Sequence, residues 1–155
     1  MPEKKTVERA RRATRAGKSP STAAGEFVRE EIHHVREGKH GAGSTKQAIA
    51  IGLSKARRAG VKVPKPRRGS AKTRRAADRD EATGEGRRTP RAPSRARAKR
   101  SRAALAKAPR RTASRAALAK QARGAATKRT AAERSASARK GARTRARNAK
   151  ARGGG

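Results

Sequence analysis

Eleven of the thirteen large apolar side chains in this 155-residue sequence lie before residue 64. They are Met1, Val7, Phe27, Val28, Ile32, Val35, Ile49, Ile51, Leu53, Val61 and Val63, and only Leu105 and Leu118 follow. Ordering a chain costs conformational entropy that buried apolar surface must offset. The apolar content of 32% does not change this, because most of it is Ala. The expectation is a small folded module before residue 64 and a segment beyond it with nothing to bury.

Charge divides the chain at the same place. Residues 1–63 carry 15 Lys or Arg against 6 Asp or Glu, and residues 64–155 carry 31 against 5, a net of +9 and +26. The boundary is VPKPRRGS, where Pro64 and Pro66 discourage a continuing helix. A total of +35 opposes compaction by self-repulsion and points to a polyanionic partner. Nucleic acid is the commonest such partner, and an anionic membrane surface is the main competitor.

The first part reads as helical. Residues 3–16 suit a short polar helix ending near Gly17, with Val7 its one large buried candidate. After KSPST, a helix capped by Ser21 or Thr22 runs to about Glu37 and stops at Gly38. Ala24, Val28, Ile32 and Val35 form its apolar stripe, with Phe27 alongside. KHGAGS is a loop of αα-hairpin length. Ser44 then caps a second helix, with Gln47 as capping-box partner and Ile49, Leu53 and Ala56 on one face. Lys55, Arg57 and Arg58 load its last turn, where positive charge suits the helix dipole. Val61 and Val63 are placed to fold back on the pair. The fold class expected is all-α: a basic segment over 1–19, a helical hairpin over 20–63, and a disordered or transiently helical Arg/Lys/Ala tail over 64–155. A hairpin this small is marginal alone, so a homodimer through it is one way to complete its core.

The tail contains an internal echo, SRAALAKAPRR at 101–111 and SRAALAKQARG at 114–124. Its residues favour helix, but repulsion is expected to keep it unfolded until a polyanion neutralises it. Pro90, Pro93 and Pro109 would limit any helix that forms.

From Arg87 to Gly155 there are 24 Lys or Arg and one acid, Glu133. Arg pairs well with phosphate oxygens, so the nucleic-acid-binding residues expected are Arg87, Arg88, Arg91, Arg95, Arg97, Arg100, Arg110, Arg111, Arg143, Arg145 and Arg147. Phe27 is the one aromatic residue. Single-strand binders stack bases on aromatics, so backbone contacts to double-stranded DNA fit better, with structured RNA the alternative. Thr89-Pro90-Arg91 and Ser19-Pro20 are faint likenesses of minor-groove motifs. The hairpin admits a helix-turn-helix reading with Lys46 and Lys55 outward, though a packing or dimerisation module accounts for it more simply.

Other chemistry finds little support. The chain has no Cys. His33 and His34 point about 100° apart on a helix and do not readily share a metal, so no metal or other cofactor is expected. GKHGAGST lacks phosphate-loop order, and no nucleophile, base and orienter stand together, so an enzyme is not expected. MPEKKTVERARR has no signal-peptide core, and no stretch approaches the length of a membrane span. The expected location is the cytoplasm, at the nucleoid.

Residues 25–64 contain Lys39-His40-Gly41, then Ser44 or Thr45, Lys46-Gln47-Ala48-Ile49-Ala50-Ile51, Leu53-Ser54 and Ala56-Arg57. This pattern resembles an uncharacterised family of short basic bacterial proteins often labelled plasmid stabilisation protein. The resemblance implies a shared small domain and a link to plasmid maintenance, and carries no site residues. The tail resembles bacterial linker-histone-like nucleoid proteins in composition. The function expected is non-sequence-specific DNA coating, bridging or compaction. The alternatives are an RNA-binding or ribosome-associated protein, or a plasmid-stabilisation partner acting through protein contacts of the hairpin.

Overall fold

The computed structural model describes residues 2–66, 69–89, 92 and 94–152, the last two as backbone only. Among them are seven α-helices and no strand: α1 Lys4–Arg15, α2 Pro20–Glu37, α3 Thr45–Arg58, α4 Ala71–Gly84, α5 Arg95–Lys107, α6 Arg115–Thr127 and α7 Ala131–Arg152. A 3-10 turn spans Arg110–Ala113. The chain divides into two compact units, Met1–Ala117 and Leu118–Gly155.

The expected disordered tail is corrected by this structure, because residues 71–152 are largely helical. Two physical reasons stand out. The first is local. Ala, Arg and Lys lose little freedom in a helix, and helical hydrogen bonds need no core. Four tail helices also carry side-chain caps. Ser70, Ser94 and Ser114 each accept a hydrogen bond from the backbone N–H three residues on. Thr130 and Glu133 form a reciprocal capping box, Glu133 N to Thr130 Oγ1 at 3.2 Å and Thr130 N to Glu133 Oε2 at 2.9 Å. The second reason is that polar contacts replace apolar area. α4 packs on α3 with only Ala77 buried. Asp80 accepts from Ser54 Oγ at 2.6 Å and from Arg58 Nε at 2.9 Å, and Lys65 Nζ lies 2.7 Å from Asp78 and 3.1 Å from Glu81.

Within the first unit α1, α2, α3 and α4 pack each on the next. The core is Ala10, Ala13, Ala23, Ala24, Phe27, Ala56 and Val63, with Val7, Leu53, Ala59 and Val61 against it. Phe27 is fully buried and most of its neighbours are Ala, so the helices approach closely. Gly52 of α3 is where that closeness is extreme, since a Cβ there would stand 2.7 Å from Val28 Cα. Gly52→Ala is expected to destabilise the chain by about 1–3 kcal/mol, read as a lower denaturant midpoint.

Helix ends follow the sequence with two departures. Ser44 caps α3 through Gln47 N at 3.1 Å, while Gln47 Oε1 accepts from Gly43 N rather than from Ser44. Gly38 ends α2 in the left-handed region at φ +77°. The start of α2 differs from the Ser21 or Thr22 cap expected. Ser19 is its N-cap and Pro20 its first residue, because a fixed proline φ suits the first helical position.

A piece of the tail also docks on the hairpin, which sequence reasoning missed. Gly41 N donates to Leu105 O at 2.8 Å, and Arg36 Nε to Ala113 O at 2.8 Å. Thr45 Oγ1 donates to Thr112 O at 2.6 Å, and Thr112 Oγ1 to Ala42 O at 3.1 Å. Gly41 must be glycine here, because a Cβ would collide with the Ala108 carbonyl. Only the first copy of the echo carries this segment. The second has Ala125 where Thr112 stands and Gln121 in place of Ala108.

Candidate nucleic-acid interface

The expected cations divide between the two units. In the first, Arg95, Arg97 and Arg100 lie on α5 and are exposed. α5 buries no residue, and beside its cations, of which Lys99 and Arg100 are adjacent, it offers mainly Ala. Arg95, Lys99 and Arg102 follow 4-3 spacing and share one face.

Arg87 and Arg88 are exposed in the turn after α4. Arg87 is committed to Glu85, to which both Nε and a terminal guanidinium nitrogen donate. Arg110 and Arg111 sit on the 3-10 turn that docks on the hairpin. The Arg110 guanidinium lies over Gly38, where a Cβ would collide with it. Arg91 falls outside the described residues, as do Pro90 and Pro93.

In the second unit Arg143, Arg145 and Arg147 are exposed on α7. α7 has 22 residues and so extends about 33 Å. Its cations are not evenly spread. Arg139, Arg143, Arg147 and Lys150 follow 4-4-3 spacing and form one stripe with Lys140 beside it. Arg145 lies away from that stripe, nearer Arg134. Lys140, Arg139 and Lys150 were readable from the helical period, but only once the segment is known to be helical.

Phe27 lies in the core, so no Phe, Tyr or Trp ring is available to stack on a base. Among the described residues no helix is long and apolar enough to cross a membrane. Lys46 is exposed on α3, whereas Lys55 is not on the outer face as the helix-turn-helix reading requires. Its Nζ lies 3.2 Å from Glu30 Oε1 and 2.8 Å from Glu31 Oε2, two buried carboxylates of α2. Burial opposes the Lys55 charge, but Glu31 and Glu30 outweigh it and raise its pKa above the ordinary lysine value.

The histidines are less exposed than a helix surface and its cap suggest. His33 is open and pairs with Glu37, but the His34 and His40 side chains keep only 13% and 26% of their exposure. His34 Nε2 lies 2.9 Å from Glu3 Oε1. That hydrogen bond, with Lys39 nearby, holds the Glu3 carboxyl below the ordinary glutamate range.

Residues 15–67 match a family model described as a family of unknown function, DUF6496. No curated protein and no solved structure matches the chain. The family match spans α2, α3 and their flanks and stops before every one of the expected phosphate-binding arginines.

Proposed function

We propose that this chain binds double-stranded DNA through phosphate contacts, without reading base sequence, and coats, bridges or compacts it. One observation carries the reading: the cations of α5, and those of α7 up to Lys150, stand exposed in a stretch with a single acid between Arg87 and Gly155. Arg-rich helical faces neutralise phosphate and release condensed counterions. Each compact unit carries its own set, so one chain has two surfaces able to hold a duplex, which supports bridging as well as coating. The buried state of Phe27 removes stacking and disfavours a single-strand mode. A cytoplasmic, nucleoid location and a part in plasmid maintenance go with this reading.

The test is a fluorescence-anisotropy titration of full-length protein onto duplex DNA at several salt concentrations, with structured RNA as competitor. The expected log–log slope is steeper than about −6, with little dependence on base sequence. A slope shallower than about −3 means few phosphate contacts and sinks the reading. Preferential capture by RNA at matched salt moves the function to RNA.

A further inference from the structure

We propose that Glu31, His34 and His40 form a binding site for one divalent transition-metal ion, zinc being the natural probe. None of its three ligands comes from the basic helices, and the site is independent of the DNA reading.

The three residues come from one helix and the loop after it. Glu31 and His34 are three apart on α2 and so share a face. Gly38 turns the chain back in the left-handed region, and His40 returns over that face. One ligand atom from each of the three lies within 4.8 Å of the others. Tetrahedral zinc ligands stand roughly 3.4 Å apart, so closing around an ion asks for movements of about 1 Å.

Glu31 is the observation that points to a ligand. Its side chain is 0% exposed, and among the described residues its Oε1 has no hydrogen-bond partner, Lys55 engaging Oε2 alone. A buried carboxylate in that state is costly. Lys55 Nζ approaches Oε2 at 2.8 Å, which leaves Oε1 toward His40 Nε2 at 3.4 Å.

The imidazoles are arranged as metal ligands usually are. His40 Nδ1 lies 3.1 Å from Gly41 O and donates to it in the neutral tautomer, which leaves the Nε2 lone pair facing Glu31. His34 is oriented by Glu3, a carboxylate partner of the kind that fixes ligand rings. The His34 and His40 rings meet edge to face with centroids 6.1 Å apart.

The local charge also suits a cation. Glu3, Glu30 and Glu31 gather here against Lys39 and Lys55, an acidic spot in a chain of net +35. Two imidazoles and one carboxylate make a borderline donor set, suited to zinc, cobalt or iron(II) and leaving positions for water. The loop that carries His40 is itself held by the Gly41 to Leu105 hydrogen bond, so the docked tail segment helps shape the site.

The test uses the full chain, freed of nucleic acid and stripped with chelator, titrated with zinc chloride by calorimetry and with cobalt(II) by visible absorption. One ion per chain is expected, with cobalt bands of nitrogen–oxygen coordination. His34→Ala and His40→Ala should each weaken zinc by at least about tenfold, as should Glu31→Gln, while His33→Ala leaves it unchanged. If Glu31→Gln unfolds, the two histidine variants decide the matter. Absence of saturable binding at one ion per chain overturns the proposal. So does an affinity that survives His34→Ala and His40→Ala, or one that His33→Ala lowers equally.

Discussion

Replacing Arg139, Lys140, Arg143, Arg147 and Lys150 together with Gln is expected to flatten the salt dependence of duplex binding by about 4 in log–log slope. Each phosphate contact contributes about 0.9 to that slope, and the stripe on α7 supplies five cations. Affinity at about 0.1 M salt should fall roughly a thousandfold or more if all five meet phosphate. Gln is nearly as strong a helix former as Arg and Lys, so α7 should persist and its far-UV circular dichroism should barely change. The control replaces Arg134 and Arg145, which lie off the stripe, and should flatten the slope by less than about 1. Equal losses per charge in the two variants would show that binding reads total charge alone. The helical face of α7 would then have no part in it.

Lys55→Met is expected to destabilise the first unit by about 3 kcal/mol or more, the cost of leaving one side of a buried ion pair without its partner. Among the described residues Lys55 is the one cation within ion-pair reach of both Glu30 and Glu31, and the two carboxylates are nearly inaccessible to water. Thermal unfolding followed at the helical dichroism band reads the effect as a clear drop in Tm. The sign of its pH dependence is fixed by the raised Lys55 pKa. The stabilisation is present throughout the range below the ordinary lysine value and is lost as pH climbs through the raised one. The comparison therefore belongs at neutral pH and should shrink in strong alkali. Adding Glu30→Gln and Glu31→Gln to Lys55→Met should restore part of the loss, since neutral amides tolerate burial better than unpaired carboxylates.

These two expectations sit on opposite sides of what the sequence displays. The α7 stripe is written in residue spacing once the segment is helical, and the cation count needs no structure at all. The ion pair of Lys55 is not. By spacing, Lys55 belongs to the basic last turn of α3 and looks like a residue for solvent or for DNA. Only the packing of α3 against α2 turns it toward Glu30 and Glu31.

The same division holds for the histidines. Adjacent His33 and His34 diverge on a helix, which argues against a shared metal. His33 and His34 do take different partners, Glu37 and Glu3. His34 also meets His40, six residues on, because Gly38 reverses the chain, and the buried Glu31 brings a carboxylate oxygen within 4.8 Å of both. Nothing in the spacing of the sequence announces a contact that depends on where a loop lands.

The tail is the largest correction. Counting apolar residues led to disorder, because entropy must be offset and there was little area to do it with. The helical caps at Ser70, Ser94, Ser114 and Thr130 were legible in the same residues and pointed the other way. A cap acts within one turn and requires no partner helix, so it is read from sequence. The docking of Leu105 to Ala113 on the α2–α3 loop is a contact across some 70 residues and is not.

By itself, then, the sequence determined the charge, the want of stacking aromatics, the helices up to Arg58 and the glycine that ends α2. Each depends on composition or on neighbours within a turn. Which acids would be buried, which lysine would meet them, where His40 would come to rest and which copy of the echo would dock were decided by tertiary structure. Those outcomes depend on distances between elements remote in the chain, and helical periodicity sets only the direction a residue faces, not what it finds there.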